Sequence, residues 1–151
     1  MKQVFLFIVF VSTVFLSSAQ DQKRTQSFNL EKGIAVQGYD VVAYFEGKAV
    51  KGNSSLAVIH QGVRYHFSSV ANKEEFKKNP AKYEPQYGGW CAYAMGESGE
   101  KVNIDPETFK ILNGKLYLFY NKRFNNTLKT WNKDEQSLKT KADANWSKLS
   151  H

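Results

Sequence analysis

The pair Asn113-Gly114, set between residues 109–112 and residues 115–120, constrains the fold more than any other feature of the 151-residue chain. Both central residues of a tight two-residue hairpin turn need positive φ, which asparagine and glycine tolerate, so the flanking apolar-rich runs are predicted to pair. A second hairpin is predicted where Gln61-Gly62 separates residues 56–60 from residues 63–67. With His60 opposite Val63, side-chain alternation puts Val58 against Tyr65 and Leu56 against Phe67 on the core side. Arg64 and His66 then share the other face with Ala57 and Ile59.

Helical signals fill the rest of the chain. Ser69 is placed to cap a helix running from Val70 to about Asn79, and Pro80 stops it and opens a further turn through Tyr83. Residues 41–45 form a short apolar run that reads as a buried strand or strand start. Residues 89–95 read as a short helix ended by Gly96. Leu138, Ala142, Trp146 and Leu149 recur at helical spacing and give a C-terminal helix one apolar face. The expected fold is α+β: a small antiparallel sheet built from the two hairpins, packed with a central helix and C-terminal helices.

Residues 1–19 are read as a cleaved export signal. Lys2 gives a positive start, residues 4–16 are almost entirely apolar, and Ser17, Ser18 and Ala19 supply the small residues of a cleavage site. The run is shorter than the ~20 residues of a membrane span, and nothing later in the chain could span a bilayer. The expected location is therefore periplasmic or secreted. Residues 20–33 read as a polar N-terminal arm and residues 34–151 as a single domain, expected to be a monomer. The net charge of +7 is scattered among acids with no run of five like charges, which argues for a solvated surface and against nucleic acid. Phosphate-loop, dinucleotide-binding, zincin and paired-cysteine motifs are all missing.

The chemistry-bearing segment is Gly88 to Met95. Cys91 is the single cysteine, so no internal disulfide can form, and the thiol is left as buried filler, a metal or redox site, or an intermolecular cross-link. Gly88 and Gly89 allow a sharp turn and close approach of a neighbour or ligand, Cys91 falls in the first turn of the following helix, and Met95 shares its face. Soft sulfur donors of this kind favour Cu(I). The same residues also read as packing: glycines relieving a crowded turn, Cys91 and Met95 filling core, Trp90 and Tyr93 as core or rim aromatics. Asp105 reads as a turn or cap residue with a lesser claim as an acid beside Cys91, and His66 as a surface or interface histidine with a lesser claim as a ligand.

The run Tyr65, His66, Phe67, Ser68, followed by Phe76 and then Asn79, Pro80, Ala81, Lys82, Tyr83, resembles the YHS domain. Gln86 to Ala94, Gly38-Tyr39-Asp40, Ile104-Asp105-Pro106 and Ala142 to Trp146 resemble its exported bacterial relatives. The resemblance implies metal binding, as in YHS domains attached to copper transporters, but Ser68 stands where such versions carry cysteine. In exported relatives selenocysteine can occupy the position of Cys91, which implies use of that atom in reactivity or ligation. Three functions are expected from these readings. One is a non-enzymatic module holding copper through Cys91 with Met95. Another is a redox protein in which Cys91 reacts with an external thiol or disulfide partner. The third is a structural or interaction domain with Cys91 buried.

Overall fold

The structure, a computed structural model, describes residues 19–150. Of the expected signal segment, all but Ala19 lies outside the described residues. Residues 19–27 are helical (α1). After them come β1 (Leu30–Glu31), β2 (Ile34–Ala35), β3 (Asn53–His60), β4 (Val63–Phe67), α2 (Val70–Lys78), α3 (Pro80–Tyr83), α4 (Ala92–Glu97), β5 (Asp105–Leu112), β6 (Lys115–Phe119), β7 (Asn121–Lys122), β8 (Asn125–Asn126), α5 (Thr127–Trp131) and α6 (Glu135–Leu149). Three 3-10 turns, Val36–Gly38, Ala43–Glu46 and Gln86–Gly89, link them.

Both hairpins form. The turn residues adopt positive φ at Gln61 (47°), Gly62 (80°), Asn113 (51°) and Gly114 (70°). The β3–β4 register pairs His60 with Val63, Val58 with Tyr65, Ile59 with Arg64 and Ala57 with His66. Beyond Ala57 the register shifts, so that Phe67 faces Asn53 and not Leu56. A bulge of this kind bends the strand and breaks strict alternation, which period-two counting cannot anticipate.

The hairpins do not share one sheet. β3 and β4 belong to a four-stranded sheet of order β1-β2-β4-β3, whose β2–β4 pair is parallel, while β5 and β6 stand alone as a two-stranded ribbon. The ribbon organises the interior. In β6, Leu116 and Leu118 point into a core with Val63, Tyr65, Phe67 and Phe76, while Tyr117 and Phe119 point into a second core with Met95, Trp131, Leu138 and Ala142. A strand buried on both faces has apolar side chains in both phases of its alternation, as residues 116–119 do.

The helices follow their local signals. Ser69 Oγ accepts from Asn72 N at 3.1 Å to cap α2, and Phe76 buries its ring against Tyr65 and Phe67 at centroid distances of 4.8 and 5.1 Å. α3 begins at Pro80, as its fixed φ and missing N–H favour. On α6, Leu138 and Ala142 are buried and Trp146 half-buried, but Leu149 is 40% exposed because the last turn runs past the core. α4 and α6 approach so closely that a Cβ on Gly96 would lie 2.5 Å from the Leu138 carbonyl oxygen.

Two expectations fail here. Residues 41–45 are a turn leading into a 3-10 helix, not a strand. The segment expected to be helical over residues 89–95 is a 3-10 turn ending at Gly89, followed by α4 from Ala92 to Glu97, with Cys91 at the N-cap and not in the first turn. Gly96 therefore lies inside α4, where it makes room for α6. The stretch read as a polar arm also carries structure. Beyond α1, Phe28 packs edge-on to Trp146 at 6.3 Å, and Asn29 N donates to the Gly88 carbonyl at 2.9 Å.

Candidate functional site

Cys91 is fully buried. Its backbone N–H donates to the Val102 carbonyl at 2.9 Å and its carbonyl accepts from Met95 N at 3.0 Å, which starts α4. Around Sγ, Tyr120 N–H donates at 3.3 Å and Thr127 Oγ1 lies at 3.5 Å. The Thr127 hydroxyl has one hydrogen, and it is given to the Tyr120 carbonyl at 2.8 Å, an oxygen that can only accept. The sulfur–oxygen contact must then use the thiol hydrogen. Cys91 both donates and accepts, which leaves no buried polar atom of this group unpaired.

Met95 does not join Cys91 in a shared donor set. Its side chain sits in the second core with Tyr117, Trp131 and Leu138, whereas Cys91 belongs to the first. Among the described residues no group of three or more His, Cys, Asp or Glu side chains is arranged to hold a metal ion. The residues present around Cys91 therefore do not fit a multi-ligand metal centre.

Gly88 makes room for neighbouring side chains, and Gly89 allows the turn. Tyr87, Gly88 and Gly89 all have positive φ (55°, 59° and 84°), and a Cβ on Gly88 would meet Trp146 Cη2 at 2.8 Å and Phe28 Cα at 3.2 Å. The close neighbour is thus the chain itself. Trp90 donates from Nε1 to the Ser27 carbonyl at 2.7 Å, and Tyr93 is half-buried between the two cores. Asp105 accepts from Glu107 N at 3.0 Å and from Thr108 Oγ1 at 2.8 Å, local bonds of the turn type at the start of β5. His66 lies on β4 beside Arg64 and Lys51; burial and these two positive charges hold its imidazole below the ordinary value.

Two groups outside the sequence-based candidates are better built than any of these. Asp40 is fully buried. Its Oδ1 accepts from Val42 N (2.9 Å) and Ala43 N (3.3 Å), and its Oδ2 from Ser68 N (2.8 Å), Ser68 Oγ (2.6 Å) and Asn72 Nδ2 (2.8 Å). One carboxylate thereby ties the 3-10 turn at 43–46, the end of β4 and the first turn of α2. The usable signal was an acid immediately before an apolar run, the position of a helix cap.

The second group lies in a cleft of about 600 Å³ between α1, residues 84–88 and the end of α6. Arg24 pairs with Glu84, which also accepts from Tyr65 Oη at 2.7 Å. The guanidinium lies 4.2 Å over the Phe28 ring. Asp21, Lys23, Gln86, Tyr87 and Trp146 are among the other residues that line it. Arg24 and Glu84 are sixty residues apart, so no local pattern could have joined them. Burial and the Glu84 carboxylate push the Tyr65 phenol far above its ordinary value, and burial with Asp143 does the same for Tyr87, which donates to Asp143 at 2.8 Å.

The described residues form a mixed α+β fold in which the buried Asp40 carboxylate joins the end of β4 to the start of α2. Residues 41–87 match the family model of the YHS domain. The matched segment includes Tyr65, His66, Phe67 and Ser68 and ends before Cys91. No curated protein and no solved structure matches the chain.

Proposed function

We propose that the protein is an exported, non-catalytic YHS binding module in which Cys91 is a structural thiol and ligand occupies the cleft beside Arg24 and Glu84. The observation that carries this reading is the closed circuit at Cys91, where the thiol hydrogen and the Tyr120 N–H leave the sulfur buried and satisfied. The cleft supplies what that site lacks: volume, charges of both signs and aromatic surface open to a small ligand. Export draws on the apolar run at residues 4–16, and cleavage after Ala19 would leave a new amine at Gln20, a residue of the cleft lining. Mass spectrometry of protein recovered outside the cytoplasm should find Gln20 as the first residue.

A thermal-shift screen of small organic acids and amphiphiles tests the cleft. Compounds that stabilise the protein should do so less in Lys23→Glu and Gln86→Ala. Stabilisation indifferent to both substitutions, or no stabilising compound, would count against the reading.

A second reading keeps Cys91 as a soft-metal ligand, supported by the YHS match and by the Tyr120 N–H that would still serve a metal-bound sulfur. Copper would have to displace the thiol hydrogen and open the core. Native Cys91 is expected to react with a thiol reagent only slowly and to react fully after denaturation. Stoichiometric Cu(I) uptake that disappears in Cys91→Ser would favour the metal instead. Peroxide oxidation faster than that of free cysteine would favour redox exchange with an external thiol partner.

A further inference from the structure

The outer face of the four-stranded sheet, turned away from the first core, collects positive charge around a histidine. Arg64 and His66 are two residues apart on β4, opposite Ile59 and Ala57 of β3, so their side chains stand on the same side. His66 is only 9% exposed. Gly52 and Gly38 press against it: a Cβ on Gly52 would lie 2.6 Å from the His66 carbonyl carbon, and one on Gly38 would lie 3.4 Å from His66 Nδ1. Lys51 Cε is 3.8 Å from that same Gly38 position. The Lys51 ammonium is held there by the Gln37 carbonyl and by the Tyr39 ring, 4.9 Å from its centroid.

The histidine has no protein partner for its ring among the described residues. Arg24 Nε is the one fully buried side-chain nitrogen or oxygen found without a hydrogen bond there, so the ring nitrogens of His66 retain contact with water. An almost buried imidazole, open at its polar edge and flanked by a held ammonium, Lys51, and by the exposed guanidinium of Arg64 on the same face, is an arrangement that a bound anion would complete. Gly38, Gly52 and Ala57 beside it are neutral, and the same face carries one carboxylate two strands away, Glu31, in the cross-strand row Glu31–Ile34–Arg64. Another carboxylate, Glu107, sits beyond Tyr39 and accepts from its hydroxyl at 3.3 Å.

We propose that His66, Arg64 and Lys51 form a binding site for a small tetrahedral oxyanion of the sulfate or inorganic phosphate type. None of the three lines the cleft beside Arg24, so this site is separate from the one proposed above. Guanidinium and ammonium would pair with two oxygens of the anion and the imidazole with a third. His66 adds a donor and a charge only when protonated. Affinity should therefore rise as pH falls from 7.5 to 5.5.

Sulfate is the probe, because it does not itself titrate over that range. In an NMR titration of the full chain, the His66 ring signals and the amides of residues 51–52 and 64–66 should shift saturably with sodium sulfate and not with sodium chloride at matched ionic strength. Lys51→Gln and Arg64→Gln, both at exposed positions, should each weaken sulfate about five-fold, the equivalent of about 1 kcal/mol. His66→Gln should leave residual binding but remove its pH dependence. Equal responses to sulfate and chloride, or a sulfate affinity indifferent to both charge removals, would overturn the proposal. Vesicles of phosphatidylglycerol separate a free anion from a headgroup: the protein should stay in the supernatant, and pelleting that sulfate fails to compete away would also overturn it.

Discussion

The side chain on which residues 42–72 most depend is Asp40. A carboxyl group buried away from water is costly unless its oxygens find donors, and five donors meet them here. Asp40→Ala would strand those donors, and unfolding in urea should show a loss of about 3 kcal/mol or more. Cys91→Ala, which orphans the Tyr120 N–H and leaves a small void, should cost about 2 kcal/mol. Cys91→Ser should cost less, since a hydroxyl can give to Thr127 and accept from Tyr120 in the same way. The contrast between those two variants reports on the hydrogen-bond circuit, not on volume alone.

Among the elements, the two hairpins, α2, α3 and α6 were readable because each carries its own punctuation. Asn113-Gly114 and Gln61-Gly62 supply the turns, Ser69 the cap and Pro80 the break. Residues 41–45 were misread because a buried apolar run looks the same in a strand and in a short helix, and what decides is Asp40 accepting from the N–H groups of Val42 and Ala43. The candidate site was legible in part. Cys91 stood out as a lone thiol, but its neighbours Tyr120 and Thr127 come from other elements, and only tertiary contact reveals that they satisfy it. Gly96 is a related case, read as a helix stop when it marks a helix crossing. Gly96→Ala should push α4 from α6 and lower stability by about 1–3 kcal/mol, read from the denaturation midpoint.

For the molecule as a whole, the protonation equilibria set limits on both sides of neutrality. Tyr44, Tyr65 and Tyr87 are held far above the ordinary phenol range, chiefly by burial. In the unfolded chain they lose protons near pH 10, so stability should fall as pH rises past that point, and their tyrosinate absorbance should appear only with unfolding. His66 acts at the acid end. Its folded value is lowered from 6.5, so the unfolded chain binds the proton more readily, and stability from this group declines as pH drops below 6.5 toward the folded value. The urea midpoint should therefore decrease from pH 7.5 to 5.5, and less steeply in His66→Gln.

Strand β6 faces one apolar interior through Leu116 and Leu118 and the other through Tyr117 and Phe119. Neither interior can loosen without withdrawing a wall from its neighbour, so the two centres should melt together as one cooperative body. Calorimetry would record a single transition, and the amides of β6 would be the last to exchange with deuterium.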